Sequence, residues 1–233
     1  ESRPATGCRS PRPPESSVSA RVGVWMVGAL GGIATTMVLG SRAIARGLAS
    51  DTGVVTNRPE FAPAKLTPIG DLVFGGHDVR RSDFWESAYQ VYKLSGSLDL
   101  EVIQQLRPEL EELSRNLRVG TAVNCGDAIA DLITDPLAQS GETLREGIAR
   151  IRADVREFAT THDLQRVVVV NLASTEPALE PGDEPQSVAA LEALLDEDAR
   201  TRVRPSLLYA YAAFKEGCGY INFTPSTAAL GGA

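Results

Sequence analysis

The chain has 233 residues, 43% of them hydrophobic and 23% charged, an ordinary globular composition with enough length for one domain or somewhat more. Its 23 Lys and Arg stand against 30 Asp and Glu, and a net charge of −7 excludes a basic surface for nucleic acid. Three scattered cysteines, Cys8, Cys125 and Cys218, exclude a disulfide framework, and two histidines, His77 and His162, supply no zinc-ligand spacing, so no metal and a reducing, cytoplasmic setting are expected.

Residues 1–20 hold four prolines, five serines and no apolar periodicity, and are expected to be disordered. Between Arg21 and Arg42 lie twenty residues without a charge, VGVWMVGALGGIATTMVLGS, which is long enough for a membrane span. The same stretch divides into a strand (22–27), a glycine turn (28–32) and a helix from Ile33 to about Leu48. In that division the glycines let backbone N–H groups approach a pyrophosphate, and the helix aims its positive end at it. The second reading is favoured, because a lone span leaves the sheet-like pattern of the remaining chain unexplained. No membrane association is expected. The spacing Gly28-x-x-Gly31-x-x-Ala34 is not a strict Gly-x-Gly-x-x-Gly, and by itself it is a weak signal.

After a proline-rich loop over 50–70, Leu72–Phe74 reads as a second buried strand. It leads into GGHD, where Asp78 is the candidate for gripping the adenosine ribose, or else an ordinary loop carboxylate. Arg80 and Arg81 could select a 2′-phosphate, but Asp78 would repel one, so NAD is preferred to NADP. Asp83 and Glu86 form a capping box for a helix, and a further helix covers about 101–117, with Pro108 dividing it. In the next, Leu144, Ile148, Ile151, Val155 and Phe158 mark one apolar face behind a Ser140 cap. Strands follow at Val167–Val170 and Tyr220–Phe223. Between them lie a proline-rich loop (175–186), a run 192–198 read as a solvated helix face, and a helix starting after Pro205 with Ser206 as cap and stopping at Gly217. Strands alternating with helices predict an α/β fold, a Rossmann-like doubly wound parallel sheet.

Four segments in order, VGVWMVGALGGIATT, DLVFGGHD, VVVVNLASTEP and SLLYAYAAFKEGCGYINFTPS, resemble the landmarks of the myo-inositol-phosphate synthases. Residues 28–36 match that family's glycine-rich NAD loop, and Gly75-Gly76-His77-Asp78 its Gly-Gly-Trp-Asp stretch. NLASTE resembles its Trp-Thr-Ala-Asn-Thr-Glu segment, and Asn222 falls in the place of the Asn in its Ile-Asn-Gly-Ser-Pro-Gln segment. The resemblance implies NAD as cofactor, with Gly28, Ala29, Gly31, Gly32, Ile33, Thr35, Asp78, Ala173, Thr175 and Asn222 as contacts. It implies glucose 6-phosphate as the small-molecule partner, converted to inositol phosphate by transient oxidation, enolisation, aldol closure and re-reduction, in a homo-oligomer, a tetramer. In the family the lysines that steady the enolate follow the last segment. Only Lys65, Lys93 and Lys215 occur here, none in a matching motif, so residues 21–233 are expected to be the NAD-binding part, truncated before the catalytic and oligomerisation region, with no catalytic residue of their own.

Two rivals remain open. Tyr211 and Lys215 make a Tyr-x-x-x-Lys, the acid–base pair of short-chain dehydrogenases, unless they are an ordinary helix packing Leu208, Tyr211 and Phe214 with a solvated lysine. A non-catalytic nucleotide-binding module would also carry the glycine turn.

Overall fold

Residues 21–180 and 182–226 are described by a computed structural model. The expected disorder of residues 1–20 lies outside the described residues. Strand β1 (Val22–Val27) leads through the glycine turn into helix α1 (Gly32–Ala45), and β2 (Leu72–Asp78) follows the proline-rich loop, which winds through three short 3-10 turns. Helices α2 (Phe84–Ser95), α3 (Leu100–Gln105) and α4 (Arg107–Ser114) precede β3 (Leu117–Val119). Then come α5 (Asp127–Ala130), α6 (Leu144–Thr161), β4 (Arg166–Asn171), α7 (Val188–Asp196), α8 (Pro205–Lys215) and β5 (Gly219–Asn222).

All five strands are parallel, in the order β3-β2-β1-β4-β5. The β1, β2 and β4 runs carry apolar residues on both faces because helices cover both. Met26 and Phe74 pack with Val38 of α1, Phe84 of α2, Ile103 of α3 and Leu110 of α4. Trp25, Val73 and Val169 pack on the other face with Ile151, Val155 and Phe158 of α6, Leu191 of α7 and Leu208 of α8. The fold is the doubly wound Rossmann-like sheet expected. Its strand order reverses between β1 and β4, and the stretch 22–41 is strand, turn and helix. No helix among the described residues is long and apolar enough to cross a membrane.

Several local expectations are corrected. The cap of α6 is Thr143, in a reciprocal capping box with Glu146, and Ser140 lies in the preceding turn. Asp83 caps α2 by accepting from Glu86 N, but the Glu86 carboxylate accepts from Ser82 Oγ, so only half of that box forms. Ser206 is the second residue of α8 rather than its cap, and the role passes to a carboxylate from another loop, described below. The helix expected over 101–117 divides at Leu106, just before Pro108, and its last residue already belongs to β3. Phe214 is 63% exposed, and Leu194 and Leu195 in the supposed solvated run are buried against α6 and α8.

Candidate cofactor site

The carboxyl ends of β1, β2 and β4 open into one cleft, where the strand order reverses and an open α/β sheet offers a ligand its crevice. Its lining includes Gly28 and Gly31, then His77, Asp78 and Arg80 after β2, Gly120, Thr121 and Cys125 after β3, Ala173 and Glu176 after β4, and Tyr209 of α8.

The glycine turn is built from backbone. The N–H groups of Gly28 and Ala29 both donate to His77 O, at 2.9 and 3.0 Å, which ties the turn to β2. Gly28 has φ +79°, and a Cβ there would lie 3.0 Å from Ala173 Cα, so both the conformation and the close approach of the β4 loop require glycine. A Cβ on Gly31 would lie 3.1 Å from Gly28 O. Gly31 is also the N-cap of α1 and brings no capping side chain, and Gly32 and Ile33 are exposed. The first turn of a 14-residue helix thus presents amides to solvent with no protein acceptor from its cap. Thr35 is 1% exposed and its Oγ1 has no hydrogen-bond partner among the described residues. A helix end lacking a cap, a hydroxyl lacking a partner and a turn kept free of Cβ atoms fit the pyrophosphate of a dinucleotide.

Across the reversal the wall is made by side chains. Glu176 Oε1 accepts from Ser206 N at 2.5 Å, and Oε2 accepts from the hydroxyls of Ser206 and Ser226 at 2.5 and 2.7 Å. A carboxylate from the β4 loop therefore caps α8. Asn171, at the end of β4, donates to Asn222 Oδ1, which also accepts from Thr224 Oγ1, while Asn222 Nδ2 donates to Ser226 O. These bonds hold the loops after β4 and β5 to the start of α8.

Of the expected contacts, Gly28, Gly31, Asp78 and Ala173 meet in the cleft. Ala29 is fully buried beneath the turn, and Gly32, Ile33 and Thr35 form the start of α1. Thr175 is exposed and outside the lining, although its neighbours Ser174 and Glu176 are part of it. Asn222 is engaged in the polar network rather than lining the cleft. Tyr211 and Lys215 are also outside the lining, and both hydrogen-bond Glu192 of α7.

His77 and Tyr209 were not expected to line the cleft. His77 is fully buried, accepts from Trp25 Nε1 at Nδ1 (2.9 Å) and faces Asp154 Oδ2 through Nε2 (3.0 Å), which defines a neutral imidazole protonated at Nε2. Burial pushes its pKa down, against the opposing pull of Asp154. Tyr209 accepts from Thr121 N at 3.1 Å, and burial pushes its phenol up. Gly120, where LRV gives way to a glycine, was the available sign that β3 ends there and that a cleft wall begins.

Comparisons with known proteins point to one family. Residues 22–233 match the family described as myo-inositol-1-phosphate synthase. The inositol-3-phosphate synthase 1 of Bacteroides thetaiotaomicron is 30% identical over 97% of this chain and 50% of its own length; that of Dictyostelium discoideum is 27% identical over 88% and 44%. The crystal structure of inositol-3-phosphate synthase from Caenorhabditis elegans superposes with a TM-score of 0.74 at 20% identity, over 92% of this chain and 46% of that one, and shares the fold. This chain spans about half the length of these relatives. With the family matched across nearly all of its residues, the chain belongs to the myo-inositol-1-phosphate synthase family.

Proposed function

We propose that this chain is the NAD-binding part of an inositol-3-phosphate synthase that converts glucose 6-phosphate to inositol phosphate. The observation that carries the reading is the turn at Gly28, held at positive φ against Ala173 beside an α1 terminus with no side-chain cap. Bound NAD would supply a reversible hydride acceptor. The chain's own part is to bind and orient it. The amides of Gly32 and Ile33 would hold the pyrophosphate, Ala173 and the Glu176-anchored loop would set the other end, and Ile129, Leu132 and Tyr209 would keep water from the cleft wall. None of Lys65, Lys93 and Lys215 lines the cleft, so this chain would hold the cofactor without supplying lysines to an enolate.

The test combines calorimetric titration of the chain with NAD⁺ and an assay of the full-length protein for inositol phosphate from glucose 6-phosphate and NAD⁺. Binding by the chain, its loss in Gly28→Val and product from the full-length protein are expected. Binding without product supports a nucleotide-binding module instead. Loss of hydride transfer in Lys215→Met with NAD binding intact supports a dehydrogenase.

A further inference from the structure

The adenosine side of the cleft carries a charge arrangement that changes the expectation for cofactor choice. Asp78, at the end of β2, is in the place where a Rossmann carboxylate accepts from ribose hydroxyls and disfavours a 2′-phosphate. Here its acceptor positions are already engaged. Oδ2 accepts from Leu30 N at 2.8 Å and from Arg80 Nη2 at 3.2 Å; Oδ1 accepts from Arg80 N and Arg80 Nε, both at 3.0 Å. A carboxylate has about four lone-pair sites, and four donors meet this one. Its charge is compensated by the same guanidinium.

Arg80 itself lines the cleft with 34% of its side chain exposed, and its Nη1 has no protein hydrogen-bond partner among the described residues. Arg81 is turned away, with its guanidinium on Asp135 and its backbone N–H on Thr134 Oγ1. The start of α2 beside it is capped by Asp83 and offers no competing anion site.

Resting on the proposed NAD reading, we infer that Arg80 sets the dinucleotide choice of this cleft, admitting the 2′-phosphorylated form alongside NAD. Asp78 serves as the fixed base of that arginine and of Leu30 rather than as the ribose acceptor. The fork of Arg80 is held on its Nε–Nη2 edge by Asp78, which leaves Nη1 of this cleft-lining residue for a ligand, an arrangement suited to phosphate.

The test is calorimetric titration of the chain with NAD⁺ and with NADP⁺, at one salt concentration, for the wild type, Arg80→Met and Arg80→Lys. The wild type is expected to bind the two within about tenfold of each other, a factor that one charge-assisted contact supplies. Arg80→Met, which keeps the aliphatic stem, should lower the NADP⁺-to-NAD⁺ affinity ratio by about tenfold or more, and Arg80→Lys should recover part of it. NAD⁺ binding with NADP⁺ about a hundredfold weaker in the wild type overturns the inference and leaves the proposed function standing, even if neither variant folds. Equal weakening of both dinucleotides in Arg80→Met also overturns it. Failure of both dinucleotides to bind the wild type overturns the proposed function and this inference with it.

Discussion

The two sides of the cleft are built by different means. On the β1–β2 side the turn is shaped by glycines and closed by backbone bonds from Gly28 and Ala29 to one carbonyl, with few side-chain contacts to spare. On the β4–β5 side the loops are tied by carboxylate, hydroxyl and amide side chains, from Glu176 and Asn171 to Asn222, Thr224 and Ser226. A turn made from backbone depends on the absence of side chains at particular points. A wall made from side chains depends on their presence, and on the long loops that carry them returning to the same place.

That contrast is open to attack. The largest effect is expected for Gly76→Ala, because the new Cβ would lie 2.1 Å from Met26 O and 2.9 Å from Ala29 Cβ, atoms of the neighbouring strand and turn that have nowhere to go. A loss of about 3 kcal/mol or more in denaturant unfolding is expected, with nucleotide binding lost as well. Retention of native stability would show that the turn has more room than its contacts allow. Glu176→Ala removes the cap of α8 and the acceptor shared by the buried Ser206 and Ser226 hydroxyls, leaving them only each other, and should cost about 1–3 kcal/mol, with Glu176→Gln recovering part. If Glu176→Ala melts with the wild type, the β4–β5 wall is not held by this network.

The smallest effect is one of pH and falls between the two sides. Burial holds the His77 pKa below its unfolded value of 6.5, so the unfolded chain binds the proton that the folded chain refuses. Stability should therefore be full above about pH 6.5 and decline as pH falls from there through the lower folded value. His162 is lowered too, chiefly by burial, and acts in the same sense. Urea midpoints measured from pH 7.5 to 5 should fall, and the slope should shrink in His77→Gln; an unchanged slope would assign the effect elsewhere.

Much of the backbone-made side was legible in the sequence. The uncharged run could be divided correctly because its glycines mark a turn and the remaining chain carries a sheet-like pattern that a lone span leaves unexplained. The pair Gly75-Gly76 was recognised by resemblance, and the structure supplies the reason: a Cβ on Gly75 would press on Phe158 and Asn116, and one on Gly76 on Met26 O. What was not legible depends on distant partners. Nothing near Pro205 signals that its helix is capped by a glutamate thirty residues earlier, so the adjacent Ser206 was the natural local choice. The engagement of Asp78 by Arg80 was missed for a related reason, since two residues of opposite charge at i and i+2 can equally face apart. The strand β3 was missed, and its first residue Leu117 given to a helix, because three residues are too few to show a period, and with it went the wall that contains Thr121 and Cys125.

The bond from Trp25 to His77 has an optical consequence. Of the two tryptophans, Trp25 is 1% exposed and donates its indole N–H to an imidazole that lines the cleft, while Trp85 lies under the Arg107 guanidinium on the opposite helical layer. Trp25 is thus a fluorophore set into the floor of the cleft, one neighbour away from whatever enters it. Its emission would report occupancy without a label, and a nicotinamide brought close in its reduced form would be able to accept its excitation energy.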